Sequence, residues 1–81
     1  MQMPRNIKGK ELAKALGRFG YVITRQSGSH IRMCSKIKGH PHQITIPDSN
    51  PLRIGTLNNI LNEVSAYVDI DKKELIRNLF E

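Results

Sequence analysis

His30 follows a Ser27-Gly28 turn signal, and Arg25, Arg32 and Lys36 all lie within six residues of it. An imidazole titrates near neutrality and can take or give a proton in a transition state. The three cations could hold a phosphate beside it, and the amides of Gly28 and Ser29 could point at the same anion. RNA supplies its own nucleophile, the 2′-hydroxyl. A base at that hydroxyl, with cations facing the charge that develops on phosphorus, is a sufficient minimal ribonuclease without a metal. The competing reading is a histidine that hydrogen-bonds its own turn, and the residues alone favour that one.

Other chemistry-bearing residues point to less. His40 and His42 flank Pro41, and a His-x-His pair can supply two metal ligands. No third or fourth ligand is evident, so two ordinary loop histidines are expected there and no metal site is assigned. Cys34 is the only cysteine, which leaves no partner for an internal disulfide. On a strand with no evident activator it reads as a small, semi-buried filler rather than a nucleophile. There is no Gly-rich phosphate loop of the Walker or dinucleotide type, and the acids are too scattered for a carboxylate-bound metal. No cofactor is expected.

These residues must be positioned by elements that the patterning predicts. Leu12, Leu16 and Phe19 recur at helical spacing and predict a helix from about Lys8 to Arg18, ended by Gly20. Its start is poorly marked, because Gly9 sits where a stronger cap would help. Three strands are predicted next, at Tyr21–Gln26, His30–Ser35 and His42–Ile46, with Lys36–Pro41 as a loop. Leu57, Ile60, Leu61 and Val64 form an apolar stripe and predict a second helix over Ile54–Ser65. A third is predicted from about Asp71, where Asp71 and Glu74 have capping-box spacing and Ile70 and Leu75 that of a hydrophobic staple. Its stripe of Leu75, Ile76, Leu79 and Phe80 favours packing into the core.

The resulting order is α-β-β-β-α with an extra C-terminal helix, an α+β class. Three short sequential strands imply a three-stranded antiparallel sheet covered on one face by helices. Alternation then assigns the faces. Ile31, Met33, Ile44 and Ile46 should meet the helices, while His30, Arg32, Cys34, Gln43 and Thr45 should point away from them.

The 81 residues suffice for one domain, with a core of about residues 7–65 and the additional helix near 71–80. The net charge of +6 is unevenly spread: residues 1–47 carry nine Lys or Arg against one acid, Glu11. Such a surface captures polyanions, so nucleic acid is the favoured partner over mere solubility. A membrane surface is disfavoured, since no segment joins a broad cationic face to a bulky apolar one. The N-terminal residues lack the apolar run of a signal peptide and no stretch approaches a membrane span, so a cytoplasmic location is expected.

Several short pieces together resemble the HicA family of toxin ribonucleases. They are Gly9-Lys10-Glu11-Leu12, Phe19-Gly20-Tyr21, Arg25-Gln26-Ser27-Gly28-Ser29-His30, Ile44-Thr45-Ile46-Pro47, and Gly55-Thr56-Leu57 with Ile60-Leu61. They occur in family order with family spacing over about residues 7–64, and the Gly-Ser-His turn with the Gly-Thr-Leu helix start is fairly specific. The resemblance implies a double-stranded-RNA-binding-domain-like fold and an mRNA endonuclease in which His30 matches the catalytic histidine. It also implies a cognate HicB-type antitoxin that blocks the site. Many relatives carry a histidine where this chain has Ser49, and many stop soon after the second helix.

Taken together, the expected function is the toxin of a type II toxin–antitoxin system. It would be a metal-independent endoribonuclease using His30 as general base or acid, with Lys10, Lys14, Arg25, Ser29, Arg32 and Lys36 contacting RNA. The alternative is a non-catalytic module that holds double-stranded RNA by shape. A homodimer and a toxin–antitoxin hetero-oligomer both stay open.

Overall fold

A computed structural model describes residues 4–81. The elements run α1 (Gly9–Leu16), a short 3-10 turn (Gly17–Phe19), β1 (Val22–Ser27), β2 (His30–Ser35), β3 (His42–Pro47), α2 (Ile54–Val68) and α3 (Lys72–Phe80). The strands form an antiparallel meander in the order β1-β2-β3. This is the predicted α-β-β-β-α arrangement with an extra C-terminal helix.

Alternation explains which face is covered. Ile31 and Met33 of β2 pair with Ile46 and Ile44 of β3, and all four are buried. Leu12 and Leu16 of α1, and Leu57, Ile60, Leu61 and Val64 of α2, complete the core on that side. Leu75, Ile76 and Leu79 of α3 join the same cluster, so the third helix extends the core. Burying an aliphatic side chain of this size contributes roughly 1.5–3 kcal/mol each, which is how so short a helix is held in place.

The helix ends differ from expectation in instructive ways. The cap of α1 is Lys8, whose backbone N–H donates to Glu11 Oε1 at 3.1 Å. Gly9 is therefore not a weak cap but the first helical residue, and its lack of a side chain serves packing. A Cβ there would lie 2.1 Å from the Pro47 carbonyl oxygen. The Gly9 N–H donates to Ser49 O at 2.9 Å, and the Leu52 N–H to Ile7 O at 2.7 Å. The start of α1 is thus clamped against the segment leaving β3. The helix regularises only to Leu16, and Gly20 (φ 81°) then turns the chain into β1.

Helix α2 runs three residues past the predicted Ser65, because Val68 is buried and Asp69 supplies the left-handed cap (φ 59°) that glycine usually provides. Asp71 caps α3 by accepting from the Lys73 N–H at 3.2 Å. Glu74 instead pairs with Arg77 at 3.0 Å.

His42 is not a loop residue: it opens β3 and is half-buried, with Nδ1 2.6 Å from the Tyr21 hydroxyl and its ring stacked on Tyr67. The Tyr67 hydroxyl meets the carbonyls of Ser35 (3.1 Å) and His40 (2.5 Å) and receives the Lys38 N–H (3.2 Å). Burial raises the Tyr21 hydroxyl well above its ordinary value, with Tyr67, Glu63 and Cys34 adding to the effect. These aromatic contacts fix the far end of the sheet from His30.

Candidate functional site

The face of the sheet turned away from the helices carries the site. The β1–β2 hairpin turns through Gly28 (φ 56°) and Ser29, one residue later than the Ser-Gly signal suggested. Ser27 and His30 consequently close the hairpin as direct cross-strand partners. On the other side His30 pairs with Pro47, and the Asp48 N–H donates to Ser29 O at 2.7 Å. Both flanks of the histidine are therefore fixed by backbone.

The register between β1 and β2 shifts between Ile23 and Arg25, a bulge at Thr24. Beyond it, Arg25 lies directly opposite Arg32. Like charges in that position are destabilising unless an anion offsets them. Among the described residues neither arginine has a carboxylate within 4.0 Å. Arg25, Ser27, His30, Arg32 and Thr45 together line an open hollow of about 470 Å³. Each of these side chains is exposed.

A second hollow continues along the same face, sharing Arg25, Arg32 and Thr45 and reaching Cys34, Lys36 and Gln43. His30, Arg25, Arg32 and Lys36 thus lie along one surface. Ser29 sits in the turn beside them and does not line the hollow. Lys10 and Lys14 are elsewhere. They project from α1 on the helical side, around a groove floored by Ile23, Ile31 and Met33, and Lys10 is 3.8 Å from Asp48.

Neither Ser27 nor Thr45 was named as a site residue from sequence: alternation placed Thr45 on this face, while Ser27 was read as part of the turn rather than the end of β1. Their hydroxyls add two neutral donors to a site of two guanidinium groups and one imidazole. That set can bind a phosphodiester, face the charge developing on it and move one proton. Cys34 shares this face but is only 9% exposed, a small side chain between its larger partners Val22 and Gln43. Among the described residues no three His, Cys, Asp or Glu side chains cluster as metal ligands would. Among the described residues no helix is long and apolar enough to cross a membrane.

No curated protein and no solved structure matches the chain. A family model does, that of the HicA toxin of bacterial toxin–antitoxin systems, over residues 9–65. The match runs from the glycine that seats α1 to the last turns of α2, and it takes in the whole sheet that carries His30. This chain belongs to the HicA toxin family.

Proposed function

We propose that this chain is a metal-independent endoribonuclease that cleaves mRNA, with His30 as its proton-transfer residue, and that a cognate HicB-type antitoxin restrains it in the cytoplasm. The observation that carries the reading is the unneutralised Arg25–Arg32 pair beside His30 on the open sheet face. A structural histidine would not require two facing cations, whereas a phosphodiester site does.

In this reading a phosphate sits across Arg25 and Arg32. His30 takes the proton of the adjacent 2′-hydroxyl as that oxygen attacks phosphorus. The bond to the 5′-oxygen breaks, leaving a 2′,3′-cyclic phosphate and a 5′-hydroxyl that receives a proton from His30 or water. The guanidinium groups and the Ser27 and Thr45 hydroxyls face the non-bridging oxygens, where negative charge grows. The requirement for a 2′-hydroxyl selects RNA over DNA.

The test is incubation of labelled mRNA with the purified protein in EDTA, beside His30→Ala prepared identically. Cutting by the first and not by the second supports the reading. If neither cuts and both bind double-stranded RNA equally, a non-catalytic binding module is the function.

A further inference from the structure

The edge of β1 carries a second surface, which adjoins the phosphate hollow at Arg25 and Ser27 but does not include His30. Among the described residues strand β1 is bonded to β2 alone, and its other edge has no strand beside it. All six of its residues are exposed, and Val22 and Ile23 are 61% and 54% exposed. Two large aliphatic side chains on a free edge invite pairing with another chain. Between this edge and α1 runs a groove floored by Ala13, Ile23, Ile31 and Met33, with Lys10 and Lys14 on its rim. The groove is apolar at its base and cationic at its lip.

Charge decides what can occupy it. Lys10, Lys14 and Arg25 flank the edge, and among the described residues the one carboxylate within 4.0 Å of any of them is Asp48, beside Lys10. A second copy would bring the same cations to the same place. The bulge at Thr24 and the charge of Arg25 are devices by which an edge resists its own copies. The bulge limits pairing by any strand to the residues on either side of it, whereas the charge of Arg25 repels only a like-charged copy, and the cations attract an acidic strand.

We propose that the β1 edge accepts an extended, acidic segment of a partner protein, which adds as a fourth strand. Backbone groups of β1 supply the hydrogen bonds and set the register. Alternate side chains of the incoming strand divide between two environments, as any strand's must. An aliphatic one enters the groove over Ile23 and Met33, and acidic ones meet Lys10 and Lys14. The surface does not include His30, although Arg25 and Ser27 of β1 also line the phosphate hollow. The proposal concerns a protein partner and is independent of RNA cleavage, because it is read from backbone amides rather than from activity.

The experiment uses isotope-labelled full-length protein and a synthetic eight-residue peptide of alternating glutamate and valine, followed by amide NMR up to millimolar peptide. The expected result is a set of shifts confined to Val22–Ser27 and the facing side of α1, unchanged in His30→Ala. Methylating alternate peptide nitrogens in one of the two registers should abolish them. Lys10→Glu with Lys14→Glu, both exposed positions, should weaken binding roughly tenfold. The proposal is overturned by an absence of shifts. It is equally overturned by shifts centred on Arg32 and His30, by an equal response to a scrambled peptide of the same composition, or by β1 signals that move with protein concentration alone. The last would name a second copy as the occupant.

Discussion

Replacing Gly9 by alanine tests the packing that holds the site. By helix propensity alone the change is favourable, since alanine is about 1 kcal/mol better than glycine in a helix interior. The structure reverses the sign. The new Cβ would stand 2.1 Å from the Pro47 carbonyl oxygen, where ordinary contact begins at 3.4 Å. Either α1 or the end of β3 must retreat by more than an ångström. That movement loosens the 2.9 Å bond from the Gly9 N–H to Ser49 O, worth roughly 1 kcal/mol, and strains packing by roughly 1–3 kcal/mol more. The net expectation is a loss of about 1–3 kcal/mol in urea unfolding. Gly17→Ala is the internal control: an added Cβ there meets nothing within 4 Å and the backbone is already right-handed, so stability should rise by about 0.5 kcal/mol. If Gly9→Ala stabilises the protein as Gly17→Ala does, the close approach is not what fixes this residue. Because Pro47 pairs with His30, the proposed RNA cleavage should fall in Gly9→Ala even at temperatures where the protein stays folded.

The other expectations address separate parts of the molecule. Arg32→Ala should raise stability by up to about 0.5 kcal/mol by removing a like-charge pair, while cleavage drops by about 100-fold; parallel thermal melts and RNA assays check both. Leu75→Ala should cost about 2–5 kcal/mol in denaturant unfolding, because α3 is part of the core and not an appendage. The raised Tyr21 hydroxyl gives a signed pH effect: below pH 10 both states hold the proton, and above it the unfolded chain releases the proton first. Stability should therefore fall as pH rises beyond about 10, and less steeply in Tyr21→Phe, as pH-dependent melts would show.

The period-2 pattern of His30–Ser35 and His42–Pro47 carried most of what was legible. It put Ile31, Met33, Ile44 and Ile46 inside and His30, Arg32, Gln43 and Thr45 outside, as the structure has them. What it missed depends on contacts between distant residues. Nothing local to Gly9 announces that Pro47 will lie against it. The Arg25–Arg32 pairing depends on a bulge, and a bulge at Thr24 has no signature among β-branched neighbours. Lys10 and Lys14 look like part of a single basic field in sequence, yet α1 carries them to the other side of the sheet. The extension of α2 to Val68 was hidden because an aspartate, not a glycine, ends it.

The four aromatic side chains have a bearing on what the open face can tell apart. Tyr21 is in the core, and Phe19, Tyr67 and Phe80 pack against it. No ring is left on the surface around His30 for a nucleobase to stack upon, and stacking is worth about 1–3 kcal/mol per base where proteins use it. The groups present there, two guanidinium groups, two hydroxyls and an imidazole, address the sugar and the phosphate. In the proposed function, an RNA strand lying over this face would be held by its backbone, so the letters it spells would contribute little to its capture. Vulnerability of a transcript would then follow from how much of it is unpaired and reachable, and the breadth of damage from how many copies of the toxin are free.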